Sequence, residues 1–278
     1  MPIRIVHSKQ NARLKELRRA LSNPGRDEKG LVGIEGPNLL AEALRAGLHI
    51  PCVFAAGEAE RLLEKLQLPP ATEVLMMARA LLESALVTET PQPIAALIEP
   101  PDWTWAHLLG THGTTAPLIV ALAGLQDPGN LGTILRSAEA FGADGVLCLP
   151  GTVSPWNPKA VRASAGSVFR IPLLAASEAD AFARLREAGV KMIVTTVHGA
   201  QPADLVDLTG PVALLIGNEG NGVPAYIAAH ADVSITIPCP GPVESLNAAV
   251  ATSVLLYEAS RQRAVHSGGP QAHRGGTR

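Results

Sequence analysis

The sequence predicts an α/β protein in two domains, a larger C-terminal one built on a parallel sheet and a smaller α/β unit ahead of it. Three observations predict this. The chain has 278 residues, close to two domains at a soft size of roughly 150 each. Hydrophobic residues make up 47% and charged residues 17%, a balance that buries a core. Past residue 117, continuous apolar runs alternate with helical patterns, as expected of parallel strands covered on both faces.

The first hundred residues read as a compact α/β sandwich. Leu14, Leu17 and Leu21 lie at helical spacing over 11–21, which ends at the turn signal Asn23-Pro24-Gly25. A short strand is expected at 31–35. Gly36-Pro37 then opens a helix over 38–46, with Leu39, Leu40, Ala43 and Leu44 on one face and Gly47 at its end. A strand at 51–55, a helix at 58–66, a strand at 73–76 and a helix at 78–85 follow.

Residues 91–117 hold five prolines, Gly110, Gly113, Trp103 and Trp105, and read as a connecting segment whose tryptophans pack it onto a domain. The domain boundaries follow as 1–101, a linker 102–117, a main domain 118–263, and a tail 264–278 too polar to fold. In the main domain strands are expected at 118–122, 145–149, 191–195, 212–216 and 233–237. Helices are expected at 132–141, 157–165, 178–188 and 245–261.

Several classes are disfavoured. No apolar run reaches the roughly 18 residues of a membrane span, and the N-terminus lacks the apolar core of a secretory signal, so a cytoplasmic protein is expected. Cys52, Cys148 and Cys239 form no CxxC pair and read as small buried hydrophobes. The eight histidines include no HExxH, and His107 and His112 fall in the linker, so no metal is expected. Net charge is −2, poor support by itself for a nucleic-acid partner. Residues 1–29, however, hold eight Lys/Arg against three acids. Such a stretch either holds a polyanion or is an ordinary solvated helix face, and charge alone does not choose.

Ligands of open α/β sheets bind where strands end, so the loops after strands are the candidates. Neither GxxxxGK[ST] nor a strand-adjacent GxGxxG is present, which argues against nucleotide hydrolysis and a common nicotinamide fold. Three loops combine glycines and polar residues. The first runs through Asp127-Pro128-Gly129-Asn130 into a helix bearing Arg136, with Asn130 placed to cap that helix and Arg136 to meet a phosphate or carboxylate. The second, Gly217-Asn218-Glu219-Gly220-Asn221-Gly222, lets backbone approach a ligand and puts a carboxylate at the sheet mouth. The third, Ile237-Pro238 through Glu244-Ser245-Leu246-Asn247, is a proline-stiffened loop whose Ser245 is either functional or a helix cap.

The order Asp127-Pro128-Gly129-Asn130-Leu131-Gly132-Thr133-Ile134-Leu135-Arg136, then Ile216 to Gly222, then Ile237-Pro238 with Glu244-Ser245-Leu246-Asn247, resembles the three motifs of the SpoU (TrmH) family of SPOUT methyltransferases. Residues 158–167, with Lys159 and Ser164, resemble that family's lysine- and serine-bearing segment. The likeness spans about 118–261. Residues 1–101 are similar, less specifically, to the L30e-like substrate-binding domain often fused ahead of it, at Ser8-Lys9-Gln10-Asn11 and Gly33-Ile34-Glu35-Gly36. Cys239, Pro240 and Pro242 make the third loop stiffer than a typical member's.

The resemblance implies a deep trefoil knot in the C-terminal parallel sheet, a homodimer, and transfer of a methyl group from S-adenosylmethionine to a ribose 2′-hydroxyl of RNA. It places Thr195, Thr196, Gly217, Ile237 and Leu246 around the adenosyl group, and Asn130, Arg136, Glu219, Ser245 and Asn247 in the catalytic set. Arginine stays protonated, so Arg136 reads mainly as a phosphate anchor, with assistance to deprotonation as the other reading. Lys9, Arg13, Arg18 and Arg19 are the expected RNA contacts of the N-terminal domain. Aromatic content of 3% favours recognition of a folded RNA by shape and phosphates over base stacking on aromatics. The fused domain points to 23S ribosomal RNA. The alternatives are a tRNA substrate or a knotted RNA-binding protein without catalysis.

Overall fold

Apolar runs of four or five residues become strands, and the amphipathic stretches between them become the covering helices. The computed structural model describes residues 2–23, 25, 27–110, 116–196, 200–243 and 245–266. In chain order these give β1 (Ile3–Val6), α1 (Ala12–Ser22), β2 (Val32–Glu35), α2 (Pro37–Arg45), β3 (Cys52–Ala56), α3 (Glu60–Leu66), β4 (Glu73–Met77), α4 (Arg79–Glu83), β5 (Ile94–Ile98) and α5 (Trp105–Leu108). There follow β6 (Leu118–Leu122), α6 (Pro128–Ala140), β7 (Gly145–Cys148), α7 (Pro158–Ala163), β8 (Leu173–Ala175), α8 (Glu178–Glu187) and β9 (Lys191–Thr195). The chain then runs through β10 (Gln201–Pro202), β11 (Val212–Ile216), α9 (Ala225–Ala228), β12 (Val233–Thr236) and α10 (Ala248–His266).

The chain forms two compact units. One lies within Met1–Asp102 and Ser154–Arg170, the other within Trp103–Val153 and Ile171–Arg278. The first holds a five-stranded sheet in the order β1-β4-β3-β5-β2. Asn11 caps α1, its side chain accepting from the Leu14 N–H at 3.2 Å, and Leu14, Leu17, Ala20 and Leu21 turn inward onto a core with Phe54, Leu75, Leu82 and Leu97. Segment Ser154–Arg170 is held in this unit through α2. Arg170 donates to Glu42 at 2.6 Å, and Gly166, at φ +90°, sits where a Cβ would lie 2.6 Å from that of Glu42. Only glycine fits there.

The second unit holds a seven-stranded sheet, β10-β12-β9-β11-β6-β7-β8, whose pairings are all parallel. β6, β9 and β11 have the predicted bounds, and β6 and β11 are buried throughout. Leu108, Phe182, Leu185, Met192 and Leu215 form part of the core on one face, where Trp105 packs under the Arg184 guanidinium.

Four expectations change. The stretch 91–117 is not only a connector, because Ile94–Ile98 is a fully buried strand lying antiparallel between β2 and β3. The prolines that disguised it, Pro93 and Pro100, stand outside it, where a missing N–H costs no ladder bond. Trp105–Leu108 of the same stretch is helical. Asn130 does not cap α6. The Asp127 carboxylate does, accepting from the Asn130 N–H at 2.9 Å with Pro128 in the first turn. Finally, α10 runs on to His266, past the expected start of the tail at 264, because Arg263 is spent inside. It donates to the carbonyls of Leu208, Pro117 and Gly210 at 3.0, 3.3 and 2.7 Å, and to that of Ala116. Residues 267–278 of the expected tail, 111–115 of the linker with His112, and Pro24, Arg26 and Glu244 lie outside the described residues. Among the described residues no helix is long and apolar enough to cross a membrane.

Candidate active site

The parallel strands β6, β9, β11 and β12 end on the same side of their sheet, which brings the loops that follow them together. A cavity of about 740 Å³ opens there, in the size range of small-molecule sites. Thr195 and Thr196 after β9, Gly217 after β11, Ile237 after β12 and Leu246 before α10 all line it, and so do Glu219 and Ser245. Asn218, Pro238 and Val243 of the second and third loops also line it, and so does Thr236, which no motif singles out. Its position at the end of β12 was the available signal.

Gly217 is forced. A Cβ on it would stand 2.0 Å from the Gly222 carbonyl carbon, because the loop folds back on itself. Asn218 and Gly222 exchange both backbone hydrogen bonds, at 3.0 and 2.9 Å. The Asn218 side chain fixes the turn from within, accepting from the Gly220 N–H at 2.8 Å, and donates across to the Gly124 carbonyl at 3.1 Å.

A hydrogen-bond relay joins all three loops. Asn130 donates from Nδ2 to Glu219 Oε1 at 2.8 Å and accepts at Oδ1 from Asn247 Nδ2 at 3.0 Å. Glu219 Oε1 also accepts from the Asp127 N–H at 3.3 Å. Asn247 Oδ1 accepts from the N–H groups of Ala249 and Val250 at 2.9 and 3.3 Å. The cap of α10 is therefore Asn247, which leaves Ser245 exposed and, among the described residues, without a hydrogen bond. Burial pushes the Glu219 carboxyl up, but the Asn130 amide and the backbone N–H groups of Glu219, Asp127 and Gln126 outweigh it and hold it below its ordinary value. Glu219 is thus fixed as an acceptor.

Asn130 and Asn247 stand in the relay and outside the cavity lining. Arg136, two turns into α6, is exposed and has no partner among the described residues. Its neighbour Ser137 bonds Ser253 of α10 at 2.7 Å, fixing the two helices together. Of the N-terminal cations, Arg13 is ion-paired to Glu16 at 2.9 Å and Glu73 at 3.5 Å, and Arg18 donates to the Ser84 carbonyl at 2.6 Å. Lys9 and Arg19 are exposed without partners among the described residues.

A relay between three post-strand loops beside a glycine-lined cavity agrees with the family comparison, in which residues 117–257 match the SpoU rRNA Methylase family. The chain belongs to this family. Residues 11–96 match an MRM3-like substrate binding domain. Among SpoU relatives, the chain is 31% identical over 252 residues to the 23S rRNA (guanosine(2553)-2′-O)-methyltransferase RlmP of Bacillus subtilis, covering 91% of this chain and 97% of that one. Among solved structures, it is similar to the SpoU methyltransferase AviRb of Streptomyces viridochromogenes in complex with AdoMet. The TM-score is 0.81 at 30% identity, over 94% of this chain and 100% of that one. It is also similar to an AdoMet-bound rRNA methyltransferase of Sinorhizobium meliloti, with a TM-score of 0.80 at 32% identity, over 93% and 98% of the two chains.

Proposed function

We propose that this SpoU methyltransferase acts on the 2′-hydroxyl of a ribose in 23S ribosomal RNA, with S-adenosylmethionine as methyl donor. The observation that carries this reading is the Glu219–Asn130–Asn247 relay beside the cavity, with Arg136 left free on the same helix as Asn130. The cavity fits the donor. Its volume is sufficient, and Gly217, which must lack a side chain for the loop to fold back on Gly222, leaves main chain on the cavity wall. Thr195, Thr196, Gly217, Ile237 and Leu246 would hold it. When bound, it supplies an electrophilic methyl group.

A ribose hydroxyl is a weak nucleophile, so this chain must align it and help its proton leave. Arg136, a permanent cation with no partner among the described residues, anchors the phosphate next to the target ribose. Ser245, at the cavity wall and without a hydrogen bond among the described residues, and Asn247 at the head of α10 orient the hydroxyl. Asn130 and Glu219 act through these groups, holding the three loops in register. Lys9 and Arg19, exposed and without partners among the described residues, contribute phosphate contacts from the N-terminal unit, and Arg13 and Arg18, already engaged by Glu16, Glu73 and the Ser84 carbonyl, contribute less.

The working form is a homodimer, and the C-terminal chain threads the sheet as a trefoil knot. Support for the dimer comes from α10, where Val250, Val254 and Tyr257 are 49%, 40% and 56% exposed at successive helical turns. Ala249 and Thr252, on the other side of the helix, are buried inside the unit. The test is nucleoside analysis of 23S rRNA, 16S rRNA and tRNA after incubation with the protein and labelled S-adenosylmethionine. A 2′-O-methyl nucleoside from 23S rRNA alone is expected. A base-methylated product, or label only in tRNA, would contradict the reading.

A further inference from the structure

The first unit holds a second cavity, of about 530 Å³, that methyl transfer does not use. Glu35 of β2, Thr88, Gln92 and Arg162 are among its lining residues. Glu35 is 7% exposed, an uncommon place for a carboxylate. Its Oε1 is doubly satisfied, accepting from Thr88 Oγ1 at 2.7 Å and from the Gln92 N–H at 2.8 Å. Its Oε2 is shielded from solvent and has no hydrogen-bond partner among the described residues. A buried acceptor left unmet is costly, and such a group calls for a donor from outside the chain. Arg162 of α7, at the same cavity, is exposed and has no partner among the described residues.

We infer that this cavity takes one unpaired guanine nucleotide of the RNA substrate, its N–H edge on Glu35 and its phosphate on Arg162. The inference rests on the RNA substrate proposed above. The unmet acceptor calls for donors at one end and the Arg162 cation for an anion at the other, with Glu89 also on the lining to turn the phosphate toward Arg162. Among the bases, guanine alone presents two adjacent N–H donors, N1–H and the N2 amino group, on its Watson–Crick edge. Adenine and cytosine set an acceptor beside their donor, and uracil flanks its single N–H with two carbonyls, so each turns an oxygen or nitrogen lone pair toward the carboxylate. Single-stranded RNA is read by such edge contacts to splayed-out bases. Thr88 and Gln92 lock the carboxylate in one orientation, and the Arg170–Glu42 pair fixes the segment that carries Arg162.

The test is titration of the full-length protein with 5′-GMP, AMP, CMP and UMP at low salt. Saturable GMP binding is expected, with the other three weaker by about tenfold, the size of one good base-edge discrimination. Glu35→Gln replaces the free acceptor by a donor and should erase the preference. Arg162→Ala, a surface change that does not threaten the fold, should weaken GMP several-fold and leave guanosine unaffected. No saturation, equal binding of all four nucleotides, or GMP binding indifferent to Arg162→Ala would overturn the inference and leave the cavity to water alone. Binding of N-acetylarginine amide in preference to GMP would also overturn it, assigning the cavity to a protein guanidinium. Any of these failures with methyl transfer to 23S rRNA intact would leave the proposed function standing, whereas absence of transfer to any RNA would remove that function independently of GMP binding.

Discussion

The loop cluster of the second unit and helix α1 of the first both read as RNA-facing in the sequence, yet they are built on opposite plans. In the cluster Asn130, Glu219 and Asn247 are spent on one another across three loops, and Arg136 and Ser245 are left over. On α1 the charges are partly spent at home. Glu16 takes Arg13 and Lys29, and Glu73 takes Arg4 and Arg13. The difference teaches that a cation's type and position do not make it a phosphate contact. Availability does, and in each region the unpaired groups are the ones to test.

The largest effect should come from Arg136. Arg136→Ala should slow methyl transfer by about 100-fold or more, the scale of losing one electrostatic contact at a reacting centre, while S-adenosylmethionine binding by calorimetry stays within a few fold. Equal loss of both would place Arg136 with the cofactor and erase its contrast with the relay. Next is Gly217→Ala, whose methyl would collide with the Gly222 backbone. Cofactor affinity should fall by at least about tenfold, 1.4 kcal/mol or more, and the thermal midpoint should fall with it as the loop is forced open. An unchanged Kd would mean that the loop moves freely out of the way.

Glu219→Gln tests whether charge or shape holds the relay. The folded carboxyl lies below its ordinary value, so its contribution is fully present above the unfolded value of about 4.5 and is lost as pH falls through the lowered folded value. Wild-type fold stability should therefore fall on the acid side of 4.5, and the Gln variant should lack that limb. The same limb in both proteins would assign it to another group. The smallest effect separates the cations of α1. Lys9→Ala and Arg19→Ala should each flatten the salt dependence of RNA binding by about one unit of slope, and Arg13→Ala by less, because Arg13 is already paired. Equal slopes for all three would mean that the internal ion pairs do not matter, and unchanged slopes would return α1 to an ordinary solvated face.

Much of the second unit was legible because its strands are buried on both faces and leave uninterrupted apolar runs. β6, β9 and β11 read to the residue for that reason. β8 and β10 did not, being three and two residues long at the sheet edges, with little burial to mark them. β5 was hidden by flanking prolines, and the last turn of α10 by Arg263, whose half-buried polar head meets four carbonyls. At the site, the glycine and polar content of the post-strand loops was visible. The relay was not, since Asn130 meets Glu219 across 89 residues and Asn247 across 117, separations that no local pattern encodes. Glu35 shows the same limit. It reads as the end of a strand, and only the fold reveals one satisfied oxygen and one orphan.

The central claim is that the three loops act as one unit through Asn130. A double-mutant cycle tests it most directly, comparing single-turnover methyl transfer in the wild type, Asn130→Ala, Asn247→Ala and the double variant. Once Asn130 is gone the relay is already broken, so the double variant should be little slower than Asn130→Ala alone. If instead the two losses multiply, the loops contribute independently and the relay is an incidental contact.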